Sequence, residues 1–332
     1  MSVPTPVLLD CDPGIDDALA IAYLAAEHLA GRIDLAGVVC TAGNVGLSDT
    51  VANALAWLEL AGAPGVPVAA GAAGPIAVPH AFTPETHGPR GHGYADLPPT
   101  TRTTDARDGA RLWVDAARAH PGELVAVVTG PSSTLAGALE LEPGLPRLLR
   151  RLVVMGGTFR GHPGNTTPVS EWNVDVDPEA ADRVCVAWDE ACASEPAVAP
   201  VLWCGLNLTE RAVWTPGRSR RLLSAADTPL VRHLVDALRF YFEFHESVGE
   251  GYLAQVHDPL VAWLALHPEA ARTERTHVRV ECAGDHTRGM TVEDRRGHLG
   301  RPANADLVVD LSVPGGPDAV LDEVLAALAA PG

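Results

Sequence analysis

The stretch Val7-Leu8-Leu9-Asp10-Cys11-Asp12-Pro13-Gly14-Ile15-Asp16-Asp17-Ala18-Leu19-Ala20-Ile21-Ala22-Tyr23-Leu24 decides the architecture. Its first six residues form a short, non-alternating apolar run that ends in acid, the pattern of a strand buried on both faces. Pro13 and Gly14 force a tight turn. Apolar residues then recur at helical spacing from Asp16 to Ala30, and Ile33 to Thr41 reads as a second strand. Strand, turn, helix and strand in that order open a parallel α/β sheet.

The same alternation continues outward. Strands are expected at Val66 to Ala70, Leu124 to Thr129, Leu152 to Met155 and Val198 to Cys204. Helices are expected at Asp49 to Ala61, Asp105 to His120, Ser132 to Leu141 and Pro178 to Trp188. After residue 205 helices dominate, at Pro229 to His245 and His257 to His267. Strands at Thr276 to Cys282 and Leu307 to Leu311 and a terminal helix at Pro317 to Ala330 follow. The expected fold class is α/β: a Rossmann-like, mostly parallel central sheet flanked by helices, with a helical insertion in the C-terminal half. No linker or repeat divides the chain, so one domain over residues 1–332 is expected. Two long loops, Gly71 to Thr104 and Gly156 to Asp177, are of the length that usually serves function, and the glycine-flanked Glu246 to Val256 is a third mobile candidate.

Composition narrows the chemistry. The net charge of -18 makes nucleic acid or an anionic membrane an unfavourable partner and a metal cation a natural one. All 24 basic residues are arginine, which excludes Walker-type phosphate loops, Schiff-base lysines and lysine-dependent phosphatases. The six cysteines, Cys11, Cys40, Cys185, Cys192, Cys204 and Cys282, form no C-x-x-C pair and read as buried free thiols of a reducing compartment. With no basic leader and no apolar run of about 18 residues, a cytoplasmic location is expected.

The densest chemical signal is Asp10, Asp12, Asp16 and Asp17, four carboxylates where a strand ends and a helix begins. Ends of parallel strands are where α/β sheets place ligands. Folded back by Pro13-Gly14, Asp12, Asp16 and Asp17 can converge on one point, where their repulsion is relieved by a divalent cation. The bland alternative is that Asp16 and Asp17 cap the helix and Asp10 and Asp12 are solvated. An EF-hand is excluded, since its third acid position is Gly14 and its glutamate position is Ile21. A dinucleotide fold is disfavoured because DPGIDD is not G-x-G-x-x-G and its acids repel a pyrophosphate.

LLDCDPGIDDALAIAYL resembles the N-terminal signature of the nucleoside hydrolases, the inosine-uridine type N-ribohydrolases. The resemblance extends through VVCTAGN at 38–44, VTGPSSTLA at 128–136, MGG at 155–157, GNTTPVSEWNVDVDPEAA at 164–181 and VHDPLVAW at 256–263, and spans about residues 5–312. It implies one Ca2+ and one ribose at the carboxyl ends of the strands. Asp12, Asp17 and Asp258 match calcium carboxylates and Thr129 a backbone carbonyl ligand, an oxygen-only set suited to a hard cation. Asp10 is expected hydrogen-bonded at the edge of that site. Asp16 matches the general base. Asn44 and Asn173 match the grip on the 2′ and 3′ hydroxyls, and Asn165 and Glu171 the grip on the 5′ hydroxyl. Met155 is expected to line the pocket, with Phe159, Trp172 and Tyr252 as weaker candidates.

The implied reaction is hydrolysis of a ribonucleoside to base and ribose, by single displacement with inversion through an oxocarbenium-like transition state. His257 matches a histidine placed near the base in less specific members, where purine-restricted members tend to carry tryptophan. His87 in THGPRGHG matches a second such histidine, with His92 competing for that alignment. Inosine, uridine or pyrimidine acceptance follows. The run Met155 to Asn165 departs from the pattern by about two residues, with Arg160, His162 and Pro163 inside it. A homodimer or homotetramer is implied. The competing readings are the same fold acting on a nicotinamide or modified-base riboside, and a non-catalytic calcium-dependent ribose or nucleoside binding protein, which would have no need of Asp16.

Overall fold

A computed structural model describes residues 4–330; the first three and last two positions of the expected 1–332 domain lie outside the described residues. An eight-stranded sheet forms its centre. Its strands β1 (Thr5–Cys11), β2 (Ile33–Cys40), β3 (Val68–Ala70), β4 (Leu124–Val128), β5 (Leu149–Met155) and β6 (Val201–Cys204) run parallel in the order β3-β2-β1-β4-β5-β6. Ala305–Leu311 pairs parallel with β6, and Ala271–Thr276 closes that edge antiparallel.

The non-alternating apolar runs are explained by burial on both faces. Val7, Leu9 and Cys11 of β1 enter one core and Leu8 the other; Val125 and Val127 of β4 separate in the same way from Ala126 and Val128. The first core packs against helices α1 (Ile15–Leu29) and α2 (Leu47–Leu60) and against Pro229–Ser247, His257–Leu266 and Pro317–Ala329. The second packs against Gly109–Ala119, Ser133–Leu141 and Pro178–Ser194. Several helices begin as the sequence dictates: Asp177, Thr215 and Thr228 accept the N–H three residues on, each followed by proline at the first helical position.

The chain winds from β1 outward to β2 and β3, then crosses back to lay β4 on the other side of β1. The carboxyl ends of β1 and β4 therefore flank a topological switch point, where sheets of this kind open a crevice. Asp10 to Asp12 leave β1 there, and Thr129 leaves β4.

One expected element is corrected. Thr276 to Cys282 is two strands: Thr276 ends the edge strand, and Val278–Val280 pairs instead with Thr291–Glu293 in a separate hairpin. Between them His277 is buried, its ring bonded to the Pro302 carbonyl, so the chain turns at that point. The long loops also hold short helices, Pro84–His87 and Trp172–Val176.

Candidate active site

Pro13 and Gly14 bring the end of β1 directly onto the first turn of α1. The Gly14 N–H donates to Asp17 Oδ2 (2.9 Å) and the Thr129 hydroxyl to Asp17 Oδ1 (2.9 Å), so the carboxylate is held between both flanks of the switch point. Asp16 Oδ2 accepts the His257 N–H at 3.1 Å. That contact ties α1 to the N-terminus of His257–Leu266 and brings in Asp258 from 241 residues away. Carboxylate oxygens of Asp16, Asp17 and Asp258 all lie within 4.8 Å of one another, and all three residues are buried.

Asp12 stands beside this trio. Its Oδ2 accepts the Asn44 N–H at 2.7 Å, while its buried Oδ1 has no hydrogen-bond partner. The carboxylate fits only because Gly43 and Gly130 lack side chains: a Cβ on Gly43 would collide with Oδ2, and one on Gly130 would come within 2.8 Å of Oδ1. Asp10 faces the opposite way, with Oδ1 on the Thr41 hydroxyl (2.8 Å) and Oδ2 on the Trp113 indole N–H (2.7 Å). These two bonds lock its carboxylate in place.

Burial pushes all these carboxyls up. Asp16 rises to about 7 through burial and the Asp17 charge, Asp17 to about 6 and Asp10 to about 7 through burial. Asp12 and Asp258 rise well above the ordinary range, through burial first and then through Asp17 and Asp16 respectively. No arginine answers them among the described residues, and the chain has no lysine. Buried like charges, an orphaned Oδ1 and an oxygen-only donor set fit a hard divalent cation. Thr129 contributes a carbonyl that already accepts Asn173 Nδ2 at 2.7 Å and has a second lone pair.

Above this floor opens a cleft of about 570 Å³. Asp16, Asn44, Met155, Asn165, Glu171, Asn173 and Asp258 all line it. Asn44 Nδ2 donates to the Asp12 carbonyl (3.1 Å), and Asn173 Nδ2 also reaches the Met155 sulfur (3.3 Å). Glu171 caps the short helix Trp172–Val176: Oε1 accepts Asn173 N–H, and Oε2 accepts Gly157 and Val174 N–H. Burial lifts it to about 7 despite these bonds. Asn165 is exposed at the rim, its Oδ1 accepting Trp172 N–H at 3.0 Å. The Met155 to Asn165 run is pinned by Thr158 and turns at Arg160, the one non-glycine at positive φ (63°) among the described residues; Pro163 reaches the cleft. Of the weaker candidates Trp172 lines the cleft. Phe159 instead packs edge-on against Trp203 in the core, and Tyr252 lies exposed against Phe242, away from the cleft lining.

At the other end, His87 and not His92 faces the cleft. Its Nδ1 accepts the Ile15 N–H at 3.1 Å, so the proton sits on Nε2. His257 lies beside it, with Nδ1 on the Thr209 hydroxyl at 2.9 Å. Burial lowers both to about 3. Tyr241, Phe244, His245 and Gln255 complete this end. They were missed in the sequence. The usable signal was Tyr241 and His245 four residues apart, on one face of Pro229–Ser247, just before VHDP.

A switch-point cleft with a buried acidic floor defines this chain as an α/β enzyme for a small, polar molecule. More narrowly, the chain belongs to the inosine-uridine preferring nucleoside hydrolase family, whose model matches residues 7–315. It is 36% identical over 305 residues to the inosine-uridine preferring nucleoside hydrolase of Leishmania major, covering 91% of each chain. It is 34% identical over 308 residues to the pyrimidine-specific ribonucleoside hydrolase RihA of Shewanella woodyi, covering 92% of this chain and 93% of the relative. Among solved structures, the purine-preferring ribonucleoside hydrolase from Gardnerella vaginalis superposes with a TM-score of 0.87 at 27% identity, over 98% of both chains. The expected family and fold class are borne out.

Proposed function

We propose that this enzyme hydrolyses the N-glycosidic bond of ribonucleosides in a Ca2+-dependent reaction, accepting inosine, uridine or other pyrimidine nucleosides. The observation that carries it is the convergence of buried Asp16, Asp17 and Asp258 at the foot of a cleft that His87 and His257 also line.

Asp12, Asp17, Asp258 and the Thr129 carbonyl would hold the cation. Bound there, it would neutralise the carboxylates and supply the Lewis acidity that makes a water easier to deprotonate. Asp16, steadied by the His257 N–H, takes the proton from the attacking water. Asn44 and Asn173 hold the 2′ and 3′ hydroxyls, and Glu171 and Asn165 the 5′ hydroxyl. Carboxylates under the ring stabilise positive charge that develops only as the glycosidic bond breaks. His87 donates Nε2–H to the departing base, and His257 is its partner in that role. Burial holds both imidazoles neutral near pH 7, so neither acts as an imidazolium acid. Direct displacement gives inversion.

From the family we further propose a nucleoside-salvage role in the cytoplasm and assembly as a homodimer or homotetramer; no helix among the described residues is long and apolar enough to cross a membrane. Release of free base from uridine, cytidine, inosine, adenosine and guanosine, with Ca2+ and after chelation, tests the reading. Chelator-sensitive release led by uridine or inosine is expected. Nucleoside binding without release from any of the five would contradict it.

A further inference from the structure

The outer, base-facing end of the cleft carries charge that the hydrolytic reading leaves unused. Glu85, Glu210 and Glu250 line it, and among the described residues no arginine lines the cleft. Surface acids elsewhere are commonly answered by arginine, as Asp182 is by Arg279 and Glu179 by Arg288, whereas these three have no arginine partner among the described residues. Glu210 follows Thr209, the residue that holds His257, and is met by His162 Nε2 at 3.3 Å from outside the cleft lining. Glu250 lies 3.7 Å from His245 Nε2. That nitrogen accepts the Gln255 N–H while Nδ1 faces the Tyr241 carbonyl at 2.9 Å, so His245 carries its single proton on the far side and offers Glu250 no charge. Beside these acids Tyr241 and Phe244 lie nearly parallel, 6.2 Å between centroids and 22° apart, and both border the cleft. Aromatic rings combined with carboxylates that no arginine answers are the recognition chemistry of a planar organic cation.

We propose that the outer base subsite, formed by Glu210, Glu250, Tyr241 and Phe244, selects N-ribosides whose base carries a positive charge. This rests on the hydrolase reading above. Chemically the fit is direct. As the C1′–N bond breaks, its electron pair passes to the ring nitrogen and cancels the cationic charge, so the base departs neutral and needs no proton. The water oxygen bonds C1′, and its proton goes to Asp16.

Two measurements on the Ca2+-loaded enzyme test this. The first compares kcat/KM for nicotinamide riboside, a fixed pyridinium cation, with that for inosine, in wild type, E250Q and E210Q/E250Q. Because the two ribosides differ in intrinsic lability, the readout is how the ratio changes between variants. It is expected to fall by about tenfold in the double variant, the scale of a cation losing partly buried carboxylates. The second is calorimetric binding of 1-methylnicotinamide against neutral nicotinamide, which needs no turnover, and its preference for the cation is expected to fall likewise. E250Q, at a side chain 46% exposed, tests the same point with little risk to folding. Unchanged ratios in both measurements would overturn the subsite. Absence of turnover on either riboside would contradict the hydrolase reading alone, because the binding comparison still decides the subsite.

Discussion

The two ends of the cleft are built differently. At the floor, three carboxylates are each fixed by a backbone N–H: Asp17 by Gly14, Asp16 by His257 and Asp12 by Asn44, at the carboxyl ends of paired parallel strands. At the rim, Asn165 and Glu85 are exposed, Val248 is 55% exposed, and the side chains come from loops and from a helix more than 200 residues beyond β1. A site that breaks a glycosidic bond needs its base and cation ligands held without reorganisation. Recognition of the base tolerates adaptable walls.

The contrast can be broken most severely at the floor. Asp16→Ala should lower kcat by at least about two orders of magnitude, the usual scale for a positioned general base, while Ca2+ still binds. Near wild-type turnover would reassign Asp16. Asp12→Ala should abolish the rise in thermal midpoint that Ca2+ gives the wild type, measured by differential scanning fluorimetry. An undiminished rise would remove Asp12 from the ligand set.

A pH series sharpens the point. Asp10 and Glu171, raised to about 7 by burial, keep protons in the metal-stripped fold that they release on unfolding, where carboxyls titrate near about 4. Their folded pKa lies above the unfolded one, so their contribution to stability is lost as pH rises from about 4 through 7. The thermal midpoint of stripped protein should fall across that window, and Ca2+ should flatten the fall. A stripped-protein midpoint that climbs across that window would refute this.

Rim substitutions should do less. His87→Ala should cost about tenfold in kcat/KM and shift base preference, with part of the loss arising from the uncapped Ile15 N–H. Asn165→Ala, at an exposed position, should cost only a few-fold, seen in KM. A larger loss from Asn165→Ala than from His87→Ala would invert the ranking.

The same division governs what the sequence reveals. The floor was legible because its chemistry is local: four acids in eight residues, at a strand end fixed by Pro13-Gly14, admit few geometries. Asp258 was reached only through resemblance, since no spacing predicts a contact across 241 residues. The commitment of both Asp10 oxygens to Thr41 and Trp113 was not legible, because Trp113 comes from a helix on the far face of the sheet. Tyr241 and His245 read as ordinary members of an amphipathic helix until the fold turned one face of it toward the cleft. The split of Thr276 to Cys282 was hidden because both halves have strand-like composition and only tertiary pairing separates them.

The buried acidic floor has the chemistry of a cation site. Calorimetric titration of Ca2+ into stripped wild-type protein near pH 7, repeated in buffers of different ionisation enthalpy, tests this most directly. One Ca2+ per chain with net proton release is expected, because binding must ionise carboxyls that burial has raised, with loss of that signal in Asp258→Asn. Ca2+ binding with no proton release, or binding unchanged in Asp258→Asn, would contradict it.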